Sequence, residues 1–191
     1  PTSYGFDHFY GFMGGESDQY RPRLFNDTKA IEPPRDPRYH LTEDLTKQTI
    51  NWIQQQHAAA PKKPFFVYWA PGGVHSPHQV FPEWADKYKG KFDSGWDAYR
   101  QRTFERQKAS GWIPKDTVNA PRPEDLQAWK DVPDSEKPFQ SRLMEVYAGF
   151  LEHTDTQAGK IVDELDRLGL RKNTLIFYIF SDNGASAEGV H

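Results

Sequence analysis

Cysteine is absent from the 191 residues. No disulfide, thiolate metal site or cysteine nucleophile can therefore be built from them. Long apolar runs are missing as well. None approaches the roughly 20 residues of a membrane span, and no signal-peptide pattern occurs within these residues. There is no large excess of one charge: 24 basic against 27 acidic residues leave a formal net charge of -3, without the basic bias of a nucleic-acid partner. Neither internal repeats nor low-complexity tracts are seen. A mean hydropathy of -0.87 fits a chain that folds in water, and the length allows one domain with a real core. Neither compartment nor oligomeric state can be read from these features.

What is present begins with turns and aromatics. Tyr4-Gly-Phe-Asp-His-Phe-Tyr-Gly-Phe12 sets rings between glycines, and Pro22, Pro33, Pro34 and Pro37 exclude a long helix before residue 40. An irregular, aromatic-anchored segment is expected. A helix then starts near Thr42, an acceptable N-cap, with Glu43 and Asp44 where the helix dipole favours acids. Leu45, Thr49, Trp52 and Ile53 give it one buried face.

Phe65-Phe-Val-Tyr-Trp-Ala70 reads as a strand, and it runs into the polar loop Pro71-Gly-Gly-Val-His-Ser-Pro-His78. Between Val80 and Pro138 the composition shifts to Trp84, Trp96, Trp112 and Trp129 among charges and prolines. Short helices are expected at 82 to 90, opened by Pro82, and at 95 to 109, within an excursion that covers part of the domain. The clearest helix spans about Ser135 to Leu168, with an apolar stripe from Leu143 through Tyr147, Phe150, Leu151, Thr154, Ala158, Ile161 and Leu165 to Leu168. Gly169 stands where a C′ glycine belongs.

A second strand candidate, Thr174-Leu-Ile-Phe-Tyr-Ile-Phe180, has no charge and suits burial on both faces of a parallel sheet. It ends in Ser181-Asp182-Asn183-Gly184. Helices alternating with two strands that end in polar loops predict an α/β fold with ligands bound at the strand ends.

Two candidate centres follow. Asp182 and Asn183 offer hard oxygen donors suited to Ca²⁺ or Mg²⁺, although Asp-Asn-Gly is also an ordinary turn signal and two ligands do not fill a calcium shell. His75, in the glycine-rich loop, can donate a proton or hold an anion, against the plainer reading of a solvated histidine. His78 has a stronger claim to that plainer role. His8 and His153 read as structural, while Glu152 and Asp155 fan around their helix instead of converging.

Four ordered blocks carry a resemblance. Gly5-Phe-Asp-His-Phe-Tyr-Gly-Phe12, Pro71 to His78, Met144-Glu-Val-Tyr-Ala-Gly-Phe-Leu-Glu-His-Thr-Asp155 and Phe177 to Gly189 resemble successive blocks of the type I sulfatases. The bacterial arylsulfatases are the best likeness, particularly through Glu83 to Phe92. The resemblance implies part of an alkaline-phosphatase-like sandwich: a mainly parallel central sheet with helices on both faces, incomplete in this chain. Residues 1–191 would form a single partial domain from the middle of the catalytic domain.

It also implies a hydrolase of sulfate esters, in which His75 lies by the sulfate and Asp182 and Asn183 ligate a divalent cation, usually Ca²⁺. The family's nucleophile is a formylglycine made within a Cys/Ser-x-Pro-x-Arg motif. No such motif occurs here, so the attacking group and the other metal ligands are expected outside these residues and the segment alone is expected to be inactive. The expected partner is a small sulfate ester, with neither nucleic acid nor membrane. Both bacterial-type compartments, cytoplasm and periplasm, remain open. The alternatives are a phosphonate or phosphate ester hydrolase of the same superfamily and a non-catalytic, sulfatase-derived binding module.

Overall fold

The structure is a computed structural model, described here for residues 1–180. The chain divides into two compact units, one made of Pro1–Val80 with the chain from Phe150 onward, the other of Phe81–Gly149.

The first unit opens with three short strands where the proline pattern predicted only irregular chain. β1 (Tyr10–Gly11), β2 (Leu24–Asn26) and β3 (Lys29–Ile31) form an antiparallel sheet in that order. Asp27 makes the β2–β3 turn possible. It takes a left-handed backbone with φ 53°, which Asp tolerates better than most residues, and its Oδ1 accepts the Phe9 amide at 2.9 Å. Leu24 is fully buried, and with Tyr39, Leu41 and Leu45 it forms a core cluster joined by Tyr10, Phe12, Ile31 and Trp69.

α1 (Leu41–Ala59) drives its first turns into that cluster: Leu41, Thr42, Asp44, Leu45 and Thr46 are all buried. Buried Asp44 is held by hydrogen bonds from Tyr10 at 2.6 Å and Tyr39 at 3.1 Å, and it sits where the helix dipole favours an anion. Burial and this neighbouring carboxylate raise both phenol pKa values above the ordinary tyrosine range.

Two expected strands differ in the structure. Residues 65–70 and 174–180 join no ladder among the described residues. Residues 65–70 still alternate in exposure as a strand does: Phe65, Val67 and Trp69 are partly buried, whereas Phe66 and Tyr68 are more than 70% exposed. From Leu175 to Phe180 every side chain is exposed. An apolar strand acquires burial on both faces only from neighbours that supply hydrogen bonds and cover, and composition does not say where those neighbours are.

In the second unit Pro82 opens α2 (Pro82–Ala85), followed by a 3-10 turn over Asp86–Tyr88, and α3 runs Gly95–Ser110. Trp96 and Trp129 meet edge to face with ring centroids 4.7 Å apart, and the Trp96 indole donates to the Gln127 carbonyl. Trp112, by contrast, is 84% exposed. Gly95 enters α3 with φ 77°, and any Cβ there would overlap the Trp129 ring. Gly95→Ala should therefore lower stability by about 2 to 4 kcal/mol, from left-handed strain plus overpacking, and a reduced urea midpoint at unchanged slope would show it.

α4 (Lys137–Arg167) ends as its sequence predicts. Gly169 has φ 71°, its amide donates to the Asp166 carbonyl, and Leu170 donates to Leu165 in a Schellman arrangement. Its buried face is more polar than the apolar stripe foretold. Leu143 and Tyr147 are more than 40% exposed, while Glu145, His153, Gln157 and Glu164 are buried. Most of these polar groups have dedicated partners: Glu145 accepts from the Gly90 amide, His153 faces Glu43, and Glu164 accepts from Gln54 and Arg167.

Candidate functional site

The loop after residues 65–70 carries His75, and it is pinned at both ends within the first unit. At its start Gly72 lies against Gln19 and Phe12, and Gly73 lies against Phe150 and Thr154 of α4, so closely that a Cβ at either position would crowd them. A turn follows, with the His75 amide donating to the Gly72 carbonyl at 2.9 Å; the Gly73–Val74 and Ser76–Pro77 peptide bonds are cis.

At the far end Gln79 makes three connections. Its Oε1 accepts the Gln19 amide at 2.7 Å, its Nε2 donates to Asp18 at 3.0 Å, and its backbone carbonyl accepts from His40 Nε2 at 3.0 Å. Desolvation is the largest single influence on the Asp18 carboxyl and pushes its pKa up, but hydrogen bonds from Gln79 and from the Arg21 and Tyr20 amides, with the Arg21 charge, together bring it below its usual value.

Between these anchors His75 is about half exposed. Its Nδ1 is 3.0 Å from the Ser76 carbonyl and 3.8 Å from Glu16 Oε2. His78 is also exposed. His8 lies 3.2 Å from Asp27, and Asp155 accepts a hydrogen bond from Tyr178. The described geometry does not bring Glu152, His153 and Asp155 together, and among the described residues no group of three or more His, Cys, Asp or Glu could hold a metal ion. Asp182 and Asn183, the predicted cation ligands, lie outside the described residues.

Sequence reasoning missed His40. It placed the α1 cap at Thr42, but the cap is His40, whose Nδ1 accepts the Thr42 amide at 3.2 Å. A backbone amide donates on one side and a backbone carbonyl accepts on the other, so the ring is neutral with its proton on Nε2. The ring is 1% exposed, and its centroid lies 4.4 Å from that of fully buried His153. His153 Nε2 in turn donates to Glu43 Oε1 at 3.0 Å, which holds the Glu43 carboxyl below its usual range. The missed signal was a histidine immediately before an acidic helical first turn, outside the residue types that usually cap.

Burial first, and then the neighbouring His153, depress the His40 pKa to about 4, only partly offset by the Gln79 carbonyl and Glu43. Above pH about 6.5 the ring is neutral folded and unfolded, and its contribution to stability is complete. Between pH about 6.5 and 4 the unfolded chain takes up the proton first, so stability falls as pH falls. The loss, on the order of 3 kcal/mol, levels off below the folded pKa. Urea midpoints measured from pH 7.5 to 4 should show this slope, and His40→Asn should flatten it.

The family model described as Sulfatase matches residues 1–191. The chain belongs to the sulfatase family. It is 30% identical over 206 residues to an arylsulfatase of Klebsiella aerogenes, covering all of this chain and 42% of that protein. It is 24% identical over 200 residues to mouse (Mus musculus) N-acetylgalactosamine-6-sulfatase, covering 97% of this chain and 28% of the relative. The chain thus spans less than half the length of these sulfatases.

Among solved structures it resembles yidJ of Bacteroides fragilis, described as a sulfatase, with a TM-score of 0.54 and 16% identity over 89% of this chain and 30% of that one. It also resembles Ps i-CgsB, solved in complex with k-i-k-neocarrahexaose, with a TM-score of 0.51 and 18% identity over 89% of this chain and 31% of that one. At this identity the structural likeness shows the fold: an α/β sulfatase architecture of the alkaline-phosphatase type, present here in part.

Proposed function

We propose that residues 1–191 are the middle segment of a single sulfatase catalytic domain, and that the complete protein is an arylsulfatase-type hydrolase of sulfate esters. The observation that carries this reading is the family match along the whole chain, together with a histidine held on a doubly anchored loop after an apolar extended segment. His75 contacts the sulfate ester there and assists departure of the alcohol or phenol oxygen by donating a proton. The loop's glycines let it pack closely on Phe12, Gln19, Phe150 and Thr154, and the anchors at Gly73 and Gln79 keep the imidazole from drifting during the reaction.

Asp182 and Asn183 would hold a cation through a carboxylate and an amide oxygen, a donor pair suited by its chemistry to Ca²⁺ and supplying two of the six to eight oxygens it takes. When bound, the cation would offset negative charge on the sulfate oxygens. The attacking group would come from a Cys/Ser-x-Pro-x-Arg motif outside these residues, so residues 1–191 alone should not turn over substrate.

The test is the complete reading frame. It should contain that motif, and the purified enzyme should release phenol from an aryl sulfate faster than from the matching phosphonate monoester. A complete frame without the motif, or a preference for the phosphonate, would overturn the proposal.

A further inference from the structure

His40 joins three parts of the first unit that nothing in its sequence position requires it to join. One ring nitrogen accepts the Thr42 amide and caps α1; the other donates to the carbonyl of Gln79, at the end of the His75 loop. The ring itself packs against His153 and, edge-on, against Phe150 and Tyr20. An Asn or Ser would satisfy the Thr42 amide at least as well. Neither side chain extends far enough to reach the Gln79 carbonyl as well, so the imidazole's particular contribution is the tie to the loop.

That tie matters because of where His75 stands. Gly73 is fixed by contact with α4 and Gln79 by His40, Gln19 and Asp18, leaving residues 74–78 to bridge the two anchors. His75 stands between these anchors, about half exposed, with its Nδ1 3.0 Å from the Ser76 carbonyl. The bond from Gln79 to Asp18 is exposed, whereas those to His40 and Gln19 are part-buried and start from residues that are each 1% exposed.

We propose that His40 is a positioning residue for His75, its imidazole tying the N-terminus of α1 to the end of the loop that presents His75 to substrate. The inference rests on the sulfate-site reading of His75 given above. The working geometry depends on His40 only through the loop, so the two residues should act as one unit.

The experiment is a double-mutant cycle in the complete enzyme acting on an aryl sulfate, with His40→Asn, His75→Ala and both together. Asparagine keeps the cap and loses the tie. His40→Asn should lower kcat ten- to a hundredfold, the scale expected of a displacement near 1 Å, with KM within about twofold; its urea midpoint should fall because buried ring contacts are lost, so kcat is compared at pH 7.5 where the urea curve shows the variant fully folded. In the His75→Ala background it should cause no further loss. His40→Gln, whose amide can donate toward Gln79, should recover part of the turnover.

Unchanged kcat in His40→Asn beside an impaired His75→Ala would overturn the inference, and so would losses that multiply in the double variant. If neither His40 variant folds, His40 is a core residue and the positioning role is wrong. If His75→Ala keeps wild-type turnover, it is the reading of His75 that fails. The tie is then decided by hydrogen exchange at residues 72–79: faster exchange in His40→Asn upholds it and unchanged exchange removes it.

Discussion

Replacing His75 by alanine in the complete enzyme is expected to lower kcat for an aryl sulfate by about two to four orders of magnitude, with a much smaller change in KM. That is the range for losing a positioned proton donor or acceptor. The reason lies in where binding energy is used. A group that meets the leaving oxygen gains most of its interaction as charge develops, so its removal raises the barrier more than it weakens the ground-state complex. Stability should change little, because the side chain is about half exposed and the loop is fixed by its neighbours. The effect should shrink for esters whose leaving group is a strongly acidic phenol, which needs no proton. Equal losses across a series of phenols would leave His75 a binding role and remove the proton transfer.

Gly73→Ala should be nearly as damaging, by a different route. A methyl group at this position meets Thr154 Oγ1 and the Phe150 ring, with ring carbons at 3.1 Å. Phe150 is fully buried and Thr154 is 8% exposed, both on α4, so neither can withdraw into solvent. Thr154 Oγ1 is moreover a buried hydroxyl without a hydrogen-bond partner among the described residues, and the added methyl would close off the space beside it. Overpacking of this kind costs about 1 to 3 kcal/mol, and it would be relieved by moving the loop off the helix. A shift near 1 Å carried to His75 would then lower kcat about a hundredfold. Thr154→Ala, which removes the hydroxyl but not the Phe150 contact, should restore part of the stability lost by Gly73→Ala. No restoration would mean that the obstruction is the Phe150 ring.

Much of the helical framework was legible because its determinants are local. Pro82 fixes the start of α2, Gly169 supplies the left-handed residue that ends α4, and Glu43 and Asp44 mark the first turn of α1. The α1 cap was misplaced by two residues because His40 is a poor cap by type and becomes one only through its fixed ring. The polar face of α4 was hidden for a similar reason. Apolar periodicity discounts His153 and Glu164, whose burial is supported by Glu43, Gln54 and Arg167 from elsewhere in sequence or one turn along.

The site divides in the same way. The sequence by itself determined that a histidine follows an apolar strand-like segment in a glycine-rich loop, and that an aspartate and an asparagine follow another, because ordered blocks of residue types are a property of the chain. Only the tertiary structure decided why His75 stands where it does. Gly72 and Gly73 are needed for close approach to side chains from distant positions, and Gln79 is held by residues 39 and 60 positions away. Such contacts arise only when the core around Leu24, Leu41 and Leu45 brings those segments together, and no local pattern encodes which side chain a glycine must make room for.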